Sequence, residues 1–164
     1  MGIYWKPEKA GKGDATEKNH IDWIKVASVS FGSGRQVKEG IGRDADRQVS
    51  TGQIGEVTIV KSMDTSSMNL FRATCFGSGE KMELHLTRAG ELADKAEVVY
   101  LKYVLENTLL TGYAFSSTGG LPSETVTLNF TKLTMTYTPQ DAAVSGASPI
   151  SVSFDKSKTT PEGA

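Results

Sequence analysis

Residues Ser123–Tyr137 read SETVTLNFTKLTMTY. Val126, Leu128 and Phe130 fall on one phase of a two-residue period, and Leu133, Met135 and Tyr137 fall on the other. A period of two belongs to an extended chain with one face buried, because successive side chains of a strand point to opposite sides. The phase slips near Thr131 and Lys132, which predicts a β-bulge that returns all six side chains to one face. The same signal recurs outward from this stretch. KMELHLTR (81–88) alternates Met82, Leu84 and Leu86 with Glu83, His85 and Thr87. EVVYLKYVLENTLLTGYAF (97–115) is long, aromatic and β-branched, and reads as one or two strands with a bend. In HIDWIKVASVSF (20–31), Ile21, Trp23, Ala27, Val29 and Phe31 share a face that Lys25 interrupts. Ile150, Val152 and Phe154 suggest a last short strand.

One helix interrupts the strands. SMDTSSMNLFRATCFGSG (62–79) offers Asp64 or Thr65 as its cap and Gly77 as its end. Met68, Phe71 and Cys75 lie at i, i+3 and i+7, an apolar stripe on which the sheet is expected to pack. The predicted core thus includes Trp23, Val29, Phe31, Phe71, Cys75, Leu84 and Phe130. Gly32–Gly55 differs from all of this. It is glycine-rich, charged in both signs and poor in large apolar groups. A structureless excursion of that length is uncommon inside a compact domain and is usually functional or disordered.

Composition narrows the function. The chain has 164 residues and 17.6 kDa, which suits one domain with a core of its own. Lys plus Arg is 18 against 19 for Asp plus Glu, so no strong positive field is available for coating nucleic acid or an anionic membrane. One cysteine, Cys75, excludes an internal disulfide framework. The opening MGIYWKPEKAGKG has no hydrophobic stretch or cleavage signal. The longest apolar run, Val98–Leu101, falls far short of the roughly 20 residues of a membrane helix.

Motifs for chemistry are missing. His20 and His85 are the only histidines, and no CxxC, HExxH or calcium-loop spacing occurs. His20 reads as a residue satisfied by a local backbone or carboxylate partner, and His85 as an outward residue of an alternating strand. FGSGR and FGSGE hold Ser33 and Ser78 between glycines but match neither a nucleophile elbow nor a phosphate loop. Carboxylate pairs such as Asp44 with Asp46 or Glu80 with Glu83 lack an apolar setting that would tune one as an acid. Arg35, Lys38, Arg43 and Arg47 are neutralised within their own loop by Glu39, Asp44 and Asp46. Mixed charge suits self-association, because each copy offers both signs. The expectation is an interaction protein with no catalytic residue, metal or cofactor. The alternatives are a small secreted β-barrel enzyme with an unfamiliar site, or a carbohydrate- or protein-binding module using Tyr4 and Trp5.

The order and spacing of these segments resemble the haemolysin-coregulated protein family, Hcp, the tube protein of type VI secretion. The matching pieces are Ile3 with the polar GKGDATEKNH run, HIDWIKVASVSFGSG, the long glycine-rich loop and VTIVKSMDTSSMNLFRATCFG. MELHLTRAG, VVYLKYVLENTLLTGY and SETVTLNFTKLTMTYTPQD follow. The Lys61–Asp64 segment leading into the helix and the SETVTLNF strand carry most of the likeness. The resemblance implies a compact β-barrel of two packed sheets with one flanking helix and an extended loop, in a domain over 1–155 with a flexible tail over 156–164. It implies homo-hexameric rings, stacked into a tube beneath a spike and baseplate and inside a contractile sheath. Small effector proteins ride in the lumen, with no nucleic acid and no membrane insertion. The resemblance also implies cytoplasmic assembly, followed by expulsion of the tube through sheath contraction without a cleaved signal peptide. A chain ending soon after the barrel matches members without a fused effector. Arg35, Lys38, Glu39, Arg43, Asp44 and Arg47 fall on the loop that reaches a neighbouring ring, and Ser28 and Ser30 are the candidate lumen residues.

Overall fold

The computed structural model describes residues 1–38, 48–89, 97–139, 148–158 and 161–162, with 38, 48, 49, 161 and 162 described by backbone only. The elements are β1 (Ile3–Pro7), β2 (Ile24–Val26), β3 (Ser28–Ser30), β4 (Ser33–Gly34), β5 (Val37–Lys38), β6 (Gln48–Val49), β7 (Gln53–Ile54), β8 (Val57–Ser62), α1 (Ser67–Phe76), β9 (Glu80–Arg88), β10 (Val98–Ser116), β11 (Ser123–Asn129), β12 (Lys132–Tyr137), β13 (Ile150–Asp155) and β14 (Pro161–Glu162).

Two antiparallel sheets share the long strand β10. Its first half lies between β9 and β12. Its second half pairs with β11, which pairs with β8, which pairs with β3. The change of partner falls at Asn107, whose φ of 48° is left-handed, and the β9 register shifts between Leu105 and Thr108. This is the bend expected in 97–115. Beyond β9 the first sheet continues through β1 to β2, and beyond β12 through β13 to β14.

The sheets do not close into a barrel, contrary to the expectation drawn from the resemblance. Closure needs every strand paired on both edges. Here β2 pairs only with β1 and β3 only with β8, with Ala27 between them, so the hydrogen-bonded path is open at β2, at β3 and at β14. The architecture is mainly β: two sheets and one helix.

The inner faces enclose Trp5, Ile24, Val57, Ile59, Met82, Leu84, Leu105, Val126 and Leu128, all at most 2% exposed. Phe130 and Leu133 join them. The Thr131–Lys132 slip is not a bulge. The chain leaves β11 at Asn129, crosses between sheets at Phe130–Thr131 and enters β12, so the phase changes because the sheet changes. Met135 and Tyr137 follow Leu133 on its face but extend past the core and are exposed.

Two other phases differ from expectation. In β2 the inward residues are Ile24 and Val26, whereas Ile21 is 63% exposed. The positive φ of Asp22 turns the chain before the strand begins. Val29 and Phe31 pack against the core cluster as half-buried residues, and Trp23 is half-buried. The helix buries Ser67, Leu70 and, partly, Ala73 and Thr74. Its buried stripe is therefore one residue, about 100°, away from the expected one. Phe71 is 54% exposed and Cys75 is exposed, so neither is core. The cause is polar: Ser67 must face inward to reach a buried carboxylate, and that fixes the rotation of the helix.

Candidate functional site

The strongest electrostatic feature lies under the start of α1. Lys61 stands opposite Glu124 in the β8–β11 register, both on inward positions, and both are fully buried. Lys61 Nζ is 2.6 Å from Glu124 Oε2 and 2.9 Å from Asp64 Oδ1. Ser67 Oγ donates to Glu124 Oε2 at 2.9 Å, and Tyr113 donates to Oε1 at 2.7 Å. Burial pushes the Glu124 carboxyl up, but hydrogen bonds from Lys61, Tyr113 and Ser67 together hold it below the usual range. The Tyr113 phenol is pushed up to about 12 by burial and by that carboxylate. Asp64 also accepts from the Ser66 amide at 2.9 Å, so it serves the start of the helix although Ser66 occupies the cap position. Both oxygens of Glu124, Asp64 Oδ1, the Ser67 hydroxyl and the Tyr113 hydroxyl are engaged, which makes the cluster a clamp for the helix rather than a reactive centre.

The charged loop forms an arm at its base. β4 pairs with β7 and β5 with β6, in place of the structureless excursion expected. Two-residue ladders suffice because Ser33–Gly34 and Gln53–Ile54 lie over the sheet. There they border an apolar groove of about 420 Å³ that Leu133, Met135, Val152 and Phe154 complete. Arg35 lies on that groove's rim and is exposed. Lys38 belongs to β5, and Glu39, Arg43, Asp44 and Arg47 lie outside the described residues. Ser28 and Ser30 are exposed on the edge strand β3, either side of the half-buried Val29.

Among the described residues, two groups of exposed apolar side chains stand out. On β12 and β13, Met135 opposes Val152 and Tyr137 opposes Ile150. Elsewhere, Met68, Phe71 and Phe76 are exposed on the helix, and Phe115 and Leu121 flank the β10–β11 turn. Isolated exposed apolar residues are ordinary, but clusters mark contact surfaces. The aromatic pair proposed for a binding module does not serve that purpose: Tyr4 and Trp5 are buried, because β1 lies between β2 and β9.

His20 and His85, apart by 65 positions, meet: His20 Nε2 lies 2.9 Å from His85 Nδ1. His20 does find its local carboxylate, Glu17. Among the described residues, no group of three or more histidines, cysteines or carboxylates is placed to hold a metal, and no helix is long and apolar enough to cross a membrane.

The family described as type VI secretion system effector, Hcp, matches residues 4–137. The chain belongs to the Hcp family. The fold agrees with solved members. A type six secretion system protein superposes with a TM-score of 0.84 at 23% identity, covering 99% of both chains. Hcp1 from Salmonella typhimurium gives 0.73 at 20% identity over 98% of this chain and 97% of its own. A type VI secretion system effector from Yersinia pestis gives 0.71 at 18% over 93% and 98%. No curated protein matches. At such identities the Hcp architecture is kept. The clamp was missed as a site in the sequence although it left a signal. Lys61 and Glu124 are charged residues on the apolar phases of Val57–Ile59 and Val126–Leu128.

Proposed function

We propose that this Hcp-family chain is a structural subunit of the type VI secretion inner tube. It forms hexameric rings that stack, are expelled by sheath contraction and carry small effectors in the lumen. The observation that carries the reading is the pair of dissimilar apolar clusters on one subunit. A surface that must match itself needs one patch, whereas a head-to-tail ring needs two different ones, each covered by the neighbour. Met135, Tyr137, Ile150 and Val152 would meet the next subunit's helix side, in an interface of standard size near 1,600 Å² in total. The ring then has two unlike faces and stacking propagates without closing. Arg35, Lys38, Glu39, Arg43, Asp44 and Arg47 are assigned to contacts along the stack. Exposed ion pairs contribute under about 1 kcal/mol each, so stacking depends on many copies. Ser28 and Ser30 are assigned to the lumen. The role is mechanical; sheath, spike and baseplate are the partners, and assembly precedes export.

Mass measurement and negative-stain imaging test this. The full chain gives rings at micromolar concentration. Deletion of 38–52 spares the rings and abolishes stacks. A chain that stays monomeric refutes the ring, and loss of both rings and stacks refutes the role given to the arm.

A further inference from the structure

Residues 9–23 carry no regular element, yet they are held in place. The segment folds on itself, Gly13 N donating to Asp22 O at 2.9 Å, Ala15 N to Trp23 O at 3.0 Å and Asp22 N to Ala15 O at 3.0 Å, and it is tied to the rest of the fold by Thr65 Oγ1 donating to Lys12 O and Glu97 N to Glu17 Oε1, each at 3.2 Å. The deepest side chain of this segment is His20, 1% exposed. Its Nδ1 meets Glu17 Oε2 at 2.5 Å and its Nε2 meets His85 Nδ1, on β9, at 2.9 Å. Tyr4 stacks on the His20 ring at 4.4 Å. Trp23 touches both imidazoles, with centroids at 4.8 and 4.5 Å.

One hydrogen fits between His20 Nε2 and His85 Nδ1. Whichever ring supplies it, the other must present a bare lone pair. Two imidazolium rings would aim two N–H bonds at each other, so the contact and a double positive charge exclude one another.

The surroundings oppose a proton on His85 more than they favour it. From β9, Glu83 Oε2 lies 3.5 Å from His85 Nε2, but that carboxylate is also bound by Lys81 and, at 2.9 Å, by Lys102 of β10. Lys102 is the β10 residue directly opposite His85. From β1 come Tyr4 and Lys6, whose ammonium lies 5.5 Å over Trp23. Glu97 accepts from Thr87 and pairs with the terminal amine of Met1. Asp22 is paired outward with Lys12. Burial first, then the charges of Lys102 and His20, depress the His85 imidazole to about 4 against the pull of Glu83. Burial pushes the Glu17 carboxyl up, but hydrogen bonds from His20 and from the amides of Asn19 and Glu97 leave it below the usual range. Glu17 therefore stays anionic as acid reaches the ordinary histidine range.

We propose that the Glu17–His20–His85 chain is a proton-operated latch: uptake of a second proton by the His20–His85 pair, so that both imidazoles are charged, breaks their bond and frees residues 9–23 from the sheet while the core stays folded. The direction follows from linkage. His85 binds its proton more readily with the segment open, near its ordinary 6.5, than with it closed. The closed form is fully favoured above about 6.5 and loses ground as pH falls toward about 4. Opening rises about tenfold per pH unit over that window, roughly 300-fold in all.

Residue-resolved hydrogen exchange on the full chain, corrected for intrinsic rates, reads the latch. Between pH 7.5 and 4 the protection of the Glu97 amide, which donates to Glu17 across the latch, falls by roughly 100-fold or more, with that of the Ala15 and Asp22 amides following as the segment loosens, while that of Ile59, Val126 and Leu128 holds. His85→Gln keeps a neutral hydrogen-bonding group with no proton to gain, and flattens the fall. Protection independent of pH, a fall shared equally by the core amides, or an undiminished fall in the variant overturns the proposal. The wild type supplies a check that does not depend on the variant folding. The His85 ring resonances titrate with the midpoint at which the segment opens, and separate midpoints overturn it as well.

Discussion

Replacing Lys61 with Met strands Glu124 beside Asp64 with no ammonium between them. Lys61 and Glu124 are both fully buried, 2.6 Å apart, and Asp64 is 2.9 Å from the same nitrogen. Breaking a buried pair from one side costs about 3–5 kcal/mol, because the remaining charge keeps its desolvation penalty. Ser67 and Tyr113 continue to donate to Glu124, which places this case near the lower end, at about 3 kcal/mol. For a chain of this size that lowers Tm by about 6–12 °C, and the variant still folds if the parent has the usual about 5–15 kcal/mol. The double variant Lys61→Met with Glu124→Met removes both charges at similar volume and recovers most of the loss. Urea unfolding of the two single variants and the double variant, at one protein concentration, measures the coupling. The folded carboxylate titrates below its ordinary value near 4.5. The stabilisation is therefore in place above that value and is lost as pH falls through the depressed one, so the gap between parent and Lys61→Met narrows in acid. A single variant losing less than about 1 kcal/mol, or a double variant as costly as the sum of the singles, refutes the clamp.

The helix rotation yields a second outcome. Leu70→Ala costs about 2–5 kcal/mol in urea unfolding because Leu70 is fully buried, whereas Phe71→Ala loses only an edge contact with Tyr113 and costs about 1 kcal/mol; equal costs would return the helix to the Met68–Phe71–Cys75 orientation. Gly13→Ala sets a Cβ 2.5 Å from Ile24 Cα and Trp23 O, both backbone. The overpacking costs about 1–3 kcal/mol, seen as a lower Tm together with lost Ala15 protection, and an unchanged Tm would show that residues 9–23 do not lie against β2.

Alternation in 81–88 and 123–137 identified Met82, Leu84, Val126, Leu128, Phe130 and Leu133 as inward residues, because a strand's two faces see different solvents. Periodicity also located the helix, and Gly77 ends it at a point where any Cβ would stand 2.2 Å from Ala73 O. Phase was less legible than period. The side of α1 that faces the core was decided by Ser67 reaching Glu124, a partner 57 positions away. The change of phase after Phe130 looked like a local bulge, but it marks a chain changing sheets. Whether the sheets close depended on the partners of β2 and β3, neither of which has a local signature.

The type of the longer elements, α1 and β9 to β13, and the Hcp resemblance were thus readable from neighbouring residues, because backbone periodicity and turn chemistry act over a few positions. The open path of strands, the Lys61–Glu124 clamp and the His20–His85 contact came from the fold alone. Each joins residues distant in the chain, and burial energy depends on what a side chain meets there rather than on what precedes it.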